Sequence, residues 1–77
     1  MFTTSRYAGP ATRRMARKLA EEAGEPFVAR GKRTVAQLAA LARKMGEERV
    51  SILEERGKTP GKTAVVRVSE TGEWEWV

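Results

Sequence analysis

The stretch TVAQLAALARKMGEERVSIL, residues 34–53, holds one complete helix and the strand that follows it, and its reading decides the class of fold. Thr34 stands where a helix N-cap belongs, and Gln37 three residues on completes a T-x-x-Q capping box. Val35, Leu38, Leu41, Ala42 and Met45 recur at three- and four-residue spacing, which predicts one apolar face directed at a core. Gly46 is the C-terminal stop. The period then changes: Arg49 to Leu53 is rich in β-branched residues and reads as a strand.

The same pattern extends in both directions. Towards the N-terminus, MFTTS predicts a short strand, and Gly9-Pro10 opens a helix with proline at its first position. Met15, Ala16, Leu19, Ala20 and Ala23 form its apolar stripe, and Gly24 ends it. PFVAR, around Phe27 and Val28, predicts a second short strand, followed by the GKR loop. Towards the C-terminus, EERGKTPGK reads as a long turn-rich loop between Arg49–Leu53 and a strand from Thr63 to Ser69. Thr71-Gly72 marks a turn. EWEWV then places Trp74 and Trp76 on one face and Glu73 and Glu75 on the other, with the tryptophans expected on the core or on a partner chain. The expected order is β-α-β-α-β-β-β: an α/β fold, a small mixed sheet carrying two helices, in one domain spanning residues 1–77.

Charge is distributed unevenly along this frame. Residues 1–46 hold ten Lys/Arg against three acids, a net of +7, and residues 47–77 hold five against seven, a net of −2. A basic first half points to a polyanionic partner, nucleic acid before others. The chain has 77 residues and neither cysteine nor histidine, which removes disulfides and thiolate or imidazole metal sites and fits an intracellular, cytoplasmic setting. No apolar run approaches a membrane span, so no membrane partner is expected.

Catalysis is not expected, and neither a metal nor a cofactor. All ten acids are glutamates, several in adjacent pairs such as Glu54/Glu55 that read as solvated surface. No nucleophile has an evident base, and RGKTPGKT misses the spacing of a phosphate-binding loop. Binding is better supported. Arg13, Arg14, Arg17 and Lys18 follow Pro10, where helix one begins, and cations there face the positive end of the helix dipole at a cost of about 0.3–1 kcal/mol. Arg17–Glu21 and Lys18–Glu22 are spaced to pair at i,i+4, whereas Arg13 and Arg14 have no such partner. A phosphate approaching the free N–H groups of this helix start, clamped by Arg6, Arg13 and Arg14, would compensate, with the Thr4 and Ser5 hydroxyls adding neutral contacts. A second basic group, Arg30, Lys32 and Arg33 around Gly31, follows the second expected strand and is expected to share a sheet edge with the first. Arg56, Lys58 and Lys62 make a third.

TTSR at 3–6, a proline and several arginines opening helix one, RGK at 30–32 before helix two, and RVSILEERGKTPGK at 49–62 together resemble the Brix domain, most closely its archaeal single-domain members. The resemblance spans most of residues 3–69. It implies halves similar to the anticodon-binding domain of class II aminoacyl-tRNA synthetases, and a ribosome-biogenesis factor that binds ribosomal RNA or its precursor, with ribosome-assembly proteins among its partners. Carried over position by position, it marks Thr4, Ser5, Arg6, Arg30, Gly31 and Lys32 as RNA-binding candidates. Arg13, Arg14, Arg17, Arg33 and Lys58 rest on the charge argument. Brix domains run to about twice this length in two similar halves, so the chain corresponds to the first half, and a homodimer through the Trp-bearing strand would supply a second. The competing expectation is an adaptor whose basic half docks on an acidic protein.

Overall fold

The computed structural model describes all of residues 1–77. Its elements are β1 (Phe2–Thr4), α1 (Pro10–Ala23), α2 (Val35–Lys44), β2 (Arg49–Arg56), β3 (Thr59–Val68) and β4 (Trp74–Trp76). They form one four-stranded mixed sheet in the order β1-β2-β3-β4, with β1 parallel to β2 and the remaining pairs antiparallel. The α/β class and the mixed sheet match the expectation. The second expected strand does not form: PFVAR contributes a single parallel bridge, Phe27 to Phe2, closed by Phe2 N–H to the Pro26 carbonyl (2.8 Å) and Val28 N–H to the Phe2 carbonyl (2.9 Å). Pro26 supplies no N–H, and the chain turns into a loop after Val28, so the ladder has no length in which to grow.

Alternation along the strands assigns the helices to opposite faces. Val50 and Ile52 of β2 and Val66 and Val68 of β3 cluster with Leu38, Ala39 and Ala42 of α2 and with Met1. The other face of β1 and β2, with Thr4 and Leu53 buried, is left to α1, whose buried residues are Thr12, Ala16 and Ala20. The α1 stripe is therefore rotated from the expected one: Met15 and Ala23 are exposed, and Thr12 is fully buried. In α2, Leu38 and Ala42 are buried as expected, Val35 and Leu41 half-buried, and Met45 exposed. The capping box is complete, Gln37 N–H donating to Thr34 Oγ1 (3.2 Å) and Thr34 N–H to Gln37 Oε1 (2.8 Å).

The expected long hairpin loop is instead a two-residue turn. Arg56 pairs with Thr59, leaving Gly57-Lys58 at the tip, with Gly57 at φ +67° as the first position of a type II′ turn requires. Much of EERGKTPGK is thus strand, and a register shift lies between Leu53 and Glu55. A Cβ on Gly61 would stand 3.0 Å from the Glu54 carbonyl, so this irregularity needs glycine.

Thr3 is fully buried and its hydroxyl has no hydrogen-bond partner. A buried, unpartnered hydroxyl costs about 1–3 kcal/mol. Thr3→Val, close in shape, is therefore expected to stabilise the fold by about 1 kcal/mol, read as a higher urea midpoint at unchanged slope. A lower midpoint would show that the hydroxyl is satisfied.

Candidate nucleic-acid interface

Because β1, β2 and the Phe27 bridge run parallel, the segments that follow them leave from one edge of the sheet. The loop after β1 leads to α1 and the loop after Phe27 leads to α2. Neighbouring strands whose connections depart to opposite faces leave a crevice between them at this edge. Here the crevice is an open cleft of about 350 Å³ lined by Thr4, Ser5, Tyr7, Arg13, Arg30 and Lys32, among others. Arg13 also borders a second depression, shared with Arg14, Arg17 and Phe27. No carboxylate lines either.

The two loops are tied together by arginines on carbonyls. Arg6 donates to the Lys32 carbonyl (2.8 Å), and Arg30 to the Thr4 carbonyl (3.1 Å) and to the Arg33 carbonyl (2.7 Å). Arg30 is half-buried; its pKa falls below the ordinary value, first through burial and then through the neighbouring Arg6 charge. Arg30 is therefore a strut as much as a contact. Gly31 sits at φ +56° with open space where a Cβ would be.

The structure brings Thr4, Ser5, Arg13, Arg30, Gly31 and Lys32 to one cleft, Arg6 into its supporting loop, and Arg14 and Arg17 to the adjoining depression. Two expected residues stand apart. Arg33 folds back on its own loop, donating to the Ala29 carbonyl (2.9 Å), and Lys58 rides the hairpin tip. The hairpin does leave from the same edge, but Glu54 and Glu55 line its base. Thr4 and Ser5 are also less free than expected: the Thr4 hydroxyl donates to the Ser5 carbonyl (3.0 Å), and Ser5 Oγ accepts the Glu55 N–H (3.1 Å).

The largest departure concerns the start of α1. Its Gly9 N–H is not open to a phosphate: it donates to Glu55 Oε2 at 2.7 Å, and the Thr12 hydroxyl donates to the same oxygen at 2.7 Å. Glu55, read from sequence as solvated surface, caps the helix from strand β2. It supplies the negative charge that a helix start favours and offsets part of the burden of the nearby arginines. The Thr12 hydroxyl foremost, then the Gly9 N–H and the Arg13 charge, hold its carboxyl below the ordinary value of 4.5, against the opposing effect of burial. Because the folded value is depressed, the contribution to stability is present above about pH 4.5 and is lost as pH falls through the folded value. Glu55→Gln is expected to be less stable than the parent at neutral pH and to converge with it in acid, followed by denaturant unfolding across that range. Parallel pH profiles would remove this role.

The i,i+4 pairs expected on α1 are not made. The ion pairs are the Met1 ammonium with Glu25 and Glu47, and Arg67 with Glu75. Arg17 lies instead over the Phe27 ring, 5.1 Å from its centroid. Arg6, Arg13, Arg14, Arg30 and Lys32 are in no contact ion pair, so apart from the Glu55 charge felt by Arg13 the face keeps its charge for an external anion. Sequence reasoning missed Tyr7, which stands 84% exposed at the cleft. No helix is long and apolar enough to cross a membrane, and no group of acids could hold a metal ion.

No protein-family model and no curated protein matches the chain. Solved structures do. An archaeal Imp4-like protein, Mil, superposes with a TM-score of 0.79 at 26% identity, over 95% of this chain and 45% of its own. A probable ribosomal biogenesis protein from Aeropyrum pernix K1 gives 0.81 at 31% identity, over 88% of this chain and 38% of its own. The chain spans less than half the length of these proteins. Its fold is that of part of the archaeal Imp4-like, Brix-family proteins, as the TTSR and RGK segments led one to expect.

Proposed function

We propose that the chain is a non-enzymatic RNA-binding module of ribosome biogenesis, gripping ribosomal RNA or its precursor through phosphate contacts. The observation that carries this reading is the cationic face: two loops and one helix bring Arg6, Arg13, Arg14, Arg17, Arg30 and Lys32 together, none of them in a contact ion pair, with Glu55 as the one carboxylate whose charge is felt there, at Arg13. The Aeropyrum pernix neighbour, a probable ribosomal biogenesis protein, supports the same process. Charge of this kind holds a sugar-phosphate chain without reading its sequence.

The test is RNA affinity as a function of salt. Binding through several phosphates gives a log-linear decline with a slope of about −0.7 per contact on single strands. A flat response, with tight capture of an acidic protein in place of RNA, would establish the adaptor reading instead.

For the opposite edge of the sheet we propose a second copy of the chain. Trp74 and Trp76 pair with Val68 and Val66 on the face that carries the core, yet remain 38% and 54% exposed at an unpaired edge strand. Sedimentation equilibrium at micromolar concentration is expected to show a dimer that Trp76→Glu dissociates; a parent that stays monomeric overturns it.

A further inference from the structure

Tyr7 is the only residue other than glycine with a positive φ, +60°. A tyrosine there is strained, and asparagine or glycine would meet the turn's backbone requirement more easily. The residue gains nothing from the protein in return: it is 84% exposed. An aromatic side chain held in an unfavourable backbone state, uncovered, at the mouth of a cleft is an outlier of the kind found at ligand sites. Its surroundings specify the ligand. Arg13, Arg30 and Lys32 line the same cleft. The other exposed aromatics, Trp74 and Trp76, alternate with Glu73 and Glu75 and lean edge-to-face on each other, which leaves them poorly placed for an anion.

We infer that Tyr7 is a stacking platform for one unpaired nucleobase, with the flanking phosphate drawn to Arg13 and Lys32, so that the preferred ligand is single-stranded or looped RNA and not a duplex. This inference rests on the RNA-binding reading and narrows it. A ring beside a cationic groove supplies both things a single strand offers, a base face and a backbone charge. In an A-form duplex the base faces are occupied by one another, so the ring has nothing to receive.

The chain contains one tyrosine, so 3-fluorotyrosine labelling yields one fluorine resonance from this site. Titration with an unstructured RNA of about ten nucleotides is expected to shift that resonance, and a stem of about sixteen base pairs to leave it nearly unmoved. Tyr7→Asn keeps a residue tolerant of the backbone state. It is expected to lose roughly five- to a hundredfold in affinity for the single strand, with the salt slope and stem affinity unchanged. Tyr7→Trp is expected to retain binding. Single-strand binding that neither moves the resonance nor falls in Tyr7→Asn overturns the stacking role and leaves the phosphate reading standing. Failure of the parent to bind either RNA overturns both.

Discussion

Arg13→Ala/Arg14→Ala is expected to bind RNA roughly ten- to a hundredfold more weakly at low salt than the parent and yet to be no less stable. The two halves of this expectation have separate causes. Both side chains are exposed on α1 and make neither a hydrogen bond nor an ion pair within the protein. Each is available to a phosphate, and at so exposed a position one such contact is worth about 0.5–1.5 kcal/mol net. Removing two should reduce the salt slope by about 1.4 on a single strand. On the stability side, both stand in the first half of a helix whose first turn holds no acid of its own. Alanine there has better helix propensity and removes charges from the wrong end of the dipole, a gain of a few tenths to about 1 kcal/mol at Arg14. At Arg13 the gain is reduced, because its charge faces Glu55. Filter binding across a salt series and urea unfolding read the two effects. Parent-like RNA affinity with an unchanged slope would sink the interface; a large loss of stability would show that these arginines are structural.

Legibility from sequence followed the range of the interactions. The α2 cap, formed by Thr34 and Gln37 three residues apart, was readable to the residue, as was the end of α1 at Gly24, the left-handed cap at φ +68°. Both are short-range devices. The strand expected at PFVAR failed because strand length is set by a neighbour, and β1 offers it only Phe2. The hairpin was hidden because Gly57, Pro60 and Gly61 all read as loop signals, whereas one serves the turn and Gly61 serves a register shift inside the ladder. The convergence of the loops carrying Arg6 and Arg30–Lys32 was foreseeable from parallel strands sharing an exit edge. The Glu55 cap was not: it joins residues 43 and 46 positions apart, and no local pattern records such a contact. Tyr7 carried a faint signal, an aromatic between arginine and Ala-Gly-Pro in a turn, which composition alone could not separate from an ordinary loop residue.

Leu38→Ala is expected to be the most damaging single substitution, leaving a chain that is barely folded at physiological temperature. Leu38 is fully buried at the centre of the cluster formed by Met1, Val50, Ile52, Val66 and Val68. It is the only large side chain that α2 buries completely; the others it buries are Ala39 and Ala42. The attachment of that helix to its face of the sheet therefore depends on one leucine. Truncation removes its burial and leaves a cavity that the surrounding β-branched residues, fixed on paired strands, can collapse into only in part, a loss of about 2–5 kcal/mol. At about 0.05–0.15 kcal/mol per residue, a chain of this length has roughly 4–12 kcal/mol in all. The corresponding fall in melting temperature is on the order of 10–30 °C. Leu41→Ala, on a half-buried neighbour three residues along the same helix, supplies the comparison and should cost clearly less. Urea and thermal unfolding of the two variants decide the matter: equal losses, or a smaller loss for Leu38→Ala, would mean that α2 meets the sheet through a different face. Because the cationic cleft is built by loops bound to the edge of that sheet, partial unfolding of Leu38→Ala should also remove RNA binding, but binding should recover at low temperature as the folded fraction returns. Arg13→Ala/Arg14→Ala should show no such recovery, which separates loss of the scaffold from loss of the contacts it carries.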